Sequence, residues 1–187
     1  MVASKHGRRG PPPATAERLE ASALYYLQRF ASSAENLRRV LERRVERSAR
    51  QHGTDRAAGR ALVDALVQRL QAAGLLDDRG YAEAKAASLH RRGASLGIIR
   101  RKLTAKGVAA EHAASATAAL AETIAEPDLA AAIALARRRR LGPWRVAGDR
   151  GAWRLKDLAV LGRAGFDYAT ARRVIDAADV EALAGIA

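Results

Sequence analysis

Catalysis needs a nucleophile, a base or a metal-ligand set that converges on one substrate atom, and the polar residues of this sequence offer none. The histidines, His6, His52, His90 and His112, have neither HxxxH nor HExxH spacing, the spacings that put two ligands on one helix face. Each reads as a surface histidine. There is no cysteine, so thiol nucleophiles, disulfides and thiolate metal sites are excluded. No GxxxxGK[ST] run is present to cradle a phosphate in backbone N–H groups. Asp77-Asp78 is the one acidic pair open to a catalytic reading. Adjacent residues at a helix start do not converge on one atom, however, and a capping role satisfies otherwise orphaned amides. The expectation is no catalytic residue, no metal site, no cofactor and no enzyme.

The chemistry that remains is anion binding. The chain carries 33 Lys plus Arg against 20 Asp plus Glu, a net charge of +13, and only five of the bases are lysine. The planar fork of arginine suits phosphate or carboxylate, although genomic base composition also favours arginine and plain solubility also favours charge. Segments 1–13, 14–75, 76–124 and 125–187 carry +3, +4, +3 and +3, a spread that suits a long ligand better than a point-like one. Of the basic residues Arg38, Arg39, Arg43, Arg44 and Arg47, three, Arg38, Arg43 and Arg47, alternate with Glu35, Glu42 and Glu46, so a solvated ion-pair face competes with a binding face there. Around Arg91, Arg92, Arg100, Arg101, Lys102 and Lys106 no acid intervenes between Glu83 and Glu111, so this positive charge should be uncompensated. Arg137, Arg138, Arg139 and Arg140 close a helix, where the dipole favours each cation by about 0.3–1 kcal/mol. Four exceed that need, yet consecutive helical residues point in several directions and cannot all reach one flat ligand. Trp144 and Trp153 flank the loop RVAGDRGA, either to stack on a base or to pin the loop, and pinning is the favoured reading.

These side chains must be positioned by helices. Residues 1–13 lack a hydrophobic period, end in Pro11-Pro12-Pro13, and read as a disordered basic tail. Thr15 offers an N-cap to a first helix with Leu24, Leu27 and Phe30, beside Tyr25 and Tyr26, as its apolar stripe. Ser32 with Glu35 has capping-box spacing before Leu37, Val40, Leu41 and Val45. Thr54 offers a cap to a third helix with Leu62, Val63, Leu66, Val67 and Leu70, closed by Gly74. Asp77-Asp78 opens a second cycle carrying Tyr81 and Leu89, broken at Gly93. Ser95 precedes Ile98, Ile99 and Leu103, Gly107 ends that helix, and residues 109–121 supply the next. SAENLRRVL lies over SLGIIRRKL without a gap, pairing Arg38-Arg39 with Arg100-Arg101, Leu41 with Leu103 and, further back, Arg29 with Arg91. A third cycle starts with Pro127 at N1 and adds helices holding Leu155, Leu158 and Leu161, then Ala171, Val174 and Ile175. The fold class is all-α, three tandem three-helix repeats (14–75, 76–124 and 125–187) in an elongated, modular arrangement with thin, alanine-rich cores. The first residues, MVASKHGRRG, lack a signal-peptide h-region, and no segment reaches the roughly 20 apolar residues that span a bilayer, so a soluble, cytoplasmic monomer is expected.

With the repeats placed, the sequence resembles the RecX family, regulators of the RecA recombinase, from about Ala21 to Asp176. The segments that carry the resemblance are ALYYLQRF, SAENLRRVLERRV, LQAAGLLDDRGYAEAKAASLHRRG, IIRRKLTAKGV and LGRAGFDYATARRVI. The central one is the most specific: a turn glycine, two leucines, an acidic pair and an aromatic residue in succession. Asn36 departs from the pattern where an acid is usual, Val45 where the helix commonly stops at glycine, and Ala164 where a second base is common. The resemblance implies a protein that lies along the groove of a RecA–DNA filament and inhibits ATP hydrolysis and strand exchange in recombination and DNA repair. Its implied partners are the RecA filament and DNA, single- or double-stranded, through phosphate contacts, with no membrane. Extended binding to many filament subunits would supply avidity. The rival reading is a helical DNA-binding protein that needs no recombinase, since three-helix units with basic second helices also resemble helix-turn-helix arrays.

Overall fold

The structure, a computed structural model, describes residues 12–146 and 148–184, and among them every regular element is helical. The expected tail falls almost wholly outside the described residues. The chain divides into two compact units, Met1–Asp78 and Arg79–Ala187. The first holds α1 (Ala16–Leu27), α2 (Ala34–His52) and α3 (Arg56–Ala72). The second holds α4 (Asp78–Arg91, its first residue closing the first unit), α5 (Leu96–Ala105), α6 (Ala110–Thr123), α7 (Pro127–Arg139), α8 (Arg150–Arg163) and α9 (Tyr168–Ile175). Short 3-10 turns cover Gly142–Trp144 and Glu181–Leu183. These nine helices form three tandem three-helix repeats, each closed around its own apolar cluster.

The register shared by the first two repeats has a physical basis. Ser33 and Ser95 are fully buried N-caps, their hydroxyls accepting from Asn36 N at 3.2 Å and Ile98 N at 3.3 Å. One turn on, Leu37 and Ile99 are both buried, as are Leu41 and Leu103 a turn later. Full burial of each such side chain contributes about 1.5–3 kcal/mol. A second donor at each helix start is met from outside the helix. Asp78 accepts from Ala34 N at 2.7 Å, and Asp128, in the first turn of α7, accepts from Leu96 N at 2.7 Å. The acidic pair expected to cap the helix it opens thus gives Asp78 to α2 instead.

Other caps differ from expectation by a residue. The α2 cap is Ser33 and not Ser32, and Glu35 turns to Arg38 and Arg39 instead of reaching back in a capping box. Asp55 caps α3 through Ala57 N, while Thr54 donates to Ser48 Oγ. In α1 the buried face is Leu19 and Ala23, four residues apart, whereas Leu24, Tyr25 and Phe30 are exposed. Leu24 and Tyr25 follow Ala23 by about 100° and about 200° round the helix and so point away from that face, and Phe30 lies beyond the helix end. Leu62 of α3 and Leu155 of α8 are likewise exposed beside buried neighbours. Val63, Leu66, Val67 and Leu70, Leu158 and Leu161, and Ala171, Val174 and Ile175 are buried as their periodicity predicts.

Within the second unit the two repeats meet closely. A Cβ at Gly93 would stand 2.6 Å from Leu135 N and 2.8 Å from Ala131 O, and one at Gly165 would stand 2.8 Å from Ser95 Oγ. The Ser95 hydroxyl also donates to Ala164 O at 3.2 Å. His90, read from the sequence as a surface residue, is buried, and its Nε2 donates to Pro127 O at 2.7 Å, a bond that fixes the tautomer because a carbonyl only accepts.

Gly53 and Gly93 both have left-handed backbone, with φ +65° and +77°, but nothing lies within 4 Å of a Cβ at Gly53. Gly53→Ala should therefore cost only the left-handed penalty, about 1–2 kcal/mol. Gly93→Ala should lose about 1–3 kcal/mol more by overpacking against α7. Urea unfolding of the two variants checks the difference, and equal midpoints would contradict the close junction.

Candidate polyanion-binding surface

In the first unit Arg38, Arg39, Arg50, Arg56 and Arg69 are paired with its own carboxylates. Arg38, expected to face a ligand, donates to Glu35 at 2.6 Å and Asp64 at 2.8 Å, and Arg39 donates to Glu35 at 2.9 Å. The Glu35 carboxyl is held below its ordinary range by the Arg38 guanidinium, with Arg39 adding to it. Glu46 bridges Arg56 at 2.9 Å and Arg50 at 3.0 Å, and those two donors bring it down to about 2. These bridges are complete above its ordinary value of 4.5 and are lost as pH falls through about 2. Arg43 is exposed with no carboxylate partner among the described residues, and Arg29 lies 4.4 Å over the Tyr25 ring. The solvated ion-pair face considered for α2 therefore describes Arg38 and Arg39, the two members of the cluster that match Arg100 and Arg101.

The second unit differs. Arg91 and Arg92 at the end of α4, Arg100, Arg101 and Lys102 on α5, and Arg137, Arg138, Arg139 and Arg140 at the end of α7 are all exposed. None has a carboxylate partner among the described residues, where the unit's ion pairs involve other cations. Lys106 is exposed at the C-cap of α5. The final arginines of α7 fan apart as consecutive helical residues must: Arg138 and Arg139 enter one cleft, Arg137 lines a separate recess with Trp144 and Leu183, and Arg140 takes φ +56° at the helix end.

The cleft at the junction of the second and third repeats, about 540 Å³, brings Arg92 from the turn after α4 together with Lys102, Arg138, Arg139 and Arg163 from three helices. Its floor is aliphatic, with Leu89, Ala94, Ile98, Leu135 and Val160, and no carboxylate lines it. Five cations at one mouth with no counter-charge set up a positive potential that water and salt screen only in part. Arg163 is the member that sequence reasoning missed. It stands alone in LGRAG, so no local charge run marks it, and only the packing of α8 on α7 and of the turn after α8 on the start of α5 brings it to the others.

Also missed was Asp157. Its carboxylate, buried in the third repeat, accepts from Gly142 N at 2.9 Å and from Arg145 at 2.6 Å. Arg145 in turn lies 4.6 Å over the Trp153 ring, with Lys156 at 4.4 Å. Trp144 packs partly buried against the third core. Both tryptophans thus fasten the loop between α7 and α8, as the pinning reading expected. The signal for Asp157 was an acid inside the apolar stripe of Leu158 and Leu161.

Among the described residues no cluster of histidine and carboxylate side chains could hold a metal, and no helix is long and apolar enough to cross a membrane. The arrangement can bind anions and position them.

The chain is similar to several known proteins. A family model described as RecX, second three-helix domain, matches residues 77–116. The regulatory protein RecX of Myxococcus xanthus (strain DK1622) is 44% identical over 173 residues, 92% of this chain and 91% of that protein. The regulatory protein RecX of Agrobacterium fabrum is 34% identical over 154 residues, covering 82% and 79% of the two chains. The crystal structure of RecX from Lactobacillus salivarius superposes with a TM-score of 0.57 over 86% of this chain and 94% of that one, at 16% identity, a likeness of fold.

Asp157→Ala should leave the Arg145 guanidinium and Gly142 N without their acceptor. Because that pair is buried, the loss should be about 3 kcal/mol, with a change in tryptophan emission as Arg145 leaves Trp153. Chemical unfolding followed by fluorescence reads both, and a loss below about 1 kcal/mol, the ceiling for exposed pairs, would contradict the buried role.

Proposed function

The chain belongs to the RecX family, and from that premise we propose that it regulates RecA by binding along the RecA–DNA filament and suppressing ATP hydrolysis and strand exchange. It acts by binding and not by catalysis, as a monomer in the cytoplasm where chromosomal DNA lies. The observation that carries this reading is the run of cations from Arg91 to Lys102, with Arg137–Arg140, that the described carboxylates leave unneutralised. Counterion release on meeting a polyanion makes such cations productive, whereas Arg38 and Arg39 would first have to leave Glu35. Repeated units offering positive charge suit a repeating ligand, since each added contact is gained at high effective concentration.

The exposed basic second helix of the second repeat also supports a rival, a DNA-binding protein that acts without RecA. Salt and partner dependence separate them. The decisive assay is DNA-dependent RecA ATPase with substoichiometric amounts of this protein. Inhibition is expected, and an unchanged rate alongside tight, salt-sensitive binding to naked DNA would favour the rival.

The matched arginine pairs give a sharper expectation. Neutralising Arg100 and Arg101 together to glutamine should weaken inhibition by roughly tenfold or more, each phosphate or carboxylate contact being worth about 1 kcal/mol. Neutralising Arg38 and Arg39 should weaken it less, because their charge already serves Glu35 and Asp64. Inhibition curves for both variants, with helicity checked by circular dichroism, test the order, and the reverse order would overturn the assignment.

A further inference from the structure

From the cleft between the second and third repeats the geometry points to a docking site for an acidic protein segment that carries an apolar anchor side chain. The site deepens the reading above, and rests on it for the expectation that the partner includes protein as well as DNA.

Two features of the cleft select this ligand class. Its rim, Arg92, Lys102, Arg138, Arg139 and Arg163, attracts any polyanion, but its floor is aliphatic and asks for an apolar group of the ligand. The apolar faces of a nucleic acid strand are its bases, which gain most by stacking on aromatic rings, and no aromatic residue lines this cleft. The protein's exposed aromatics, Tyr25, Phe30, Trp153 and Tyr168, lie elsewhere. A peptide meets both demands at once. Its carboxylates accept from the guanidinium forks, and one aliphatic or aromatic side chain fills the floor, as buried anchors seated in pockets do at protein interfaces.

The walls are also fixed before any ligand arrives. Gly93 lies against the α7 backbone, Ser95 binds Ala164 O at 3.2 Å, and Leu96 N binds Asp128 at 2.7 Å. Such preorganisation lowers the ordering cost of binding. A volume of about 540 Å³ is within the usual range of ligand sites.

The test uses the full chain and a fluorescent synthetic peptide in which aspartates and glutamates flank one leucine, the same peptide with that leucine replaced by serine, and an oligodeoxythymidylate. By anisotropy the leucine peptide should bind roughly tenfold or more tightly than the serine peptide, the worth of one buried leucine. Arg138→Glu with Arg163→Glu should weaken the leucine peptide at least tenfold. Ala94→Phe, which fills the floor without changing charge, should weaken it similarly while shifting oligonucleotide affinity less than threefold. Lys102→Gln with Arg163→Gln serves where either variant fails to fold. Equal binding of the two peptides, or equal weakening of peptide and oligonucleotide by Ala94→Phe, would overturn the proposal. RecA ATPase assays in parallel keep the two readings apart. Inhibition without a leucine preference sinks the peptide site alone, and leucine-dependent binding with no effect on RecA sinks the regulatory reading alone.

Discussion

A helix that starts inside a protein must find acceptors for N–H groups that its own backbone cannot satisfy, and the first two repeats are organised around that need. Ser33 and Ser95 are completely buried, so their cap hydroxyls are out of reach of bulk water. Each start draws one acceptor from its own serine and another from an aspartate well along the chain, Asp78 or Asp128. Negative charge there is also favoured by the helix dipole, by about 0.3–1 kcal/mol. Because the caps fix where α2 and α5 begin, they fix which residues one and two turns later enter the core and which arginines face outward. In the third repeat Asp149 accepts from Gly151 N at the start of α8, and the opposite need, donors for carbonyls at a helix end, is met by the Arg150 side chain, which donates to Ile175 O and Ala178 O at the end of α9.

Departures from the family pattern acquire physical meaning in that frame. Asn36, standing where an acid is usual, donates its amide to Tyr26 Oη at 3.1 Å and Ser32 Oγ at 2.8 Å, which a carboxylate could not do. Val45, standing where a helix stop is common, lets α2 run on to His52. Its side chain occupies the space left by Gly59, where a Cβ would come within 2.4 Å of Val45 Cγ1. A bulky residue on one helix and a missing one on the other are thus a single packing decision. Ala164 lines the cleft where a longer side chain would stand, and its backbone carbonyl accepts the bond from Ser95.

The helices, their glycine stops and the correspondence of Ser33 with Ser95 were legible in the sequence because each is a local or periodic signal. What was not legible is long-range. Leu24 and Leu19 are equally apolar, and only the position of α2 and α3 decides that Leu19 is inside. Asp78 looks like a cap for the helix it begins, and only the fold shows it serving a helix that starts 44 residues earlier. His90 looks like any polar residue near a helix end until α7 presents the Pro127 carbonyl. The basic clusters were legible as charge, yet composition could not separate Arg38, between two acids in space, from Arg100, with none.

That last distinction governs how the surface can work. The sequence places the two arginine pairs in one register, and the fold gives them different electrostatic states. Exchange of an internal carboxylate for an external phosphate brings little net gain, since one charge-assisted bond is lost for each one made. A guanidinium that faces only water and mobile ions gives up neither a bond nor a buried partner. On the reading proposed above, the pair on α5 is thus better placed to attract a polyanion than its counterpart on α2, whose guanidiniums are held by Glu35 and Asp64. The cleft's charge comes from four arginines and one lysine, and ionic strength is the variable that weakens its attraction. Its aliphatic floor is the part that salt does not screen, so a ligand using both rim and floor keeps part of its affinity where a purely phosphate-bound strand is released.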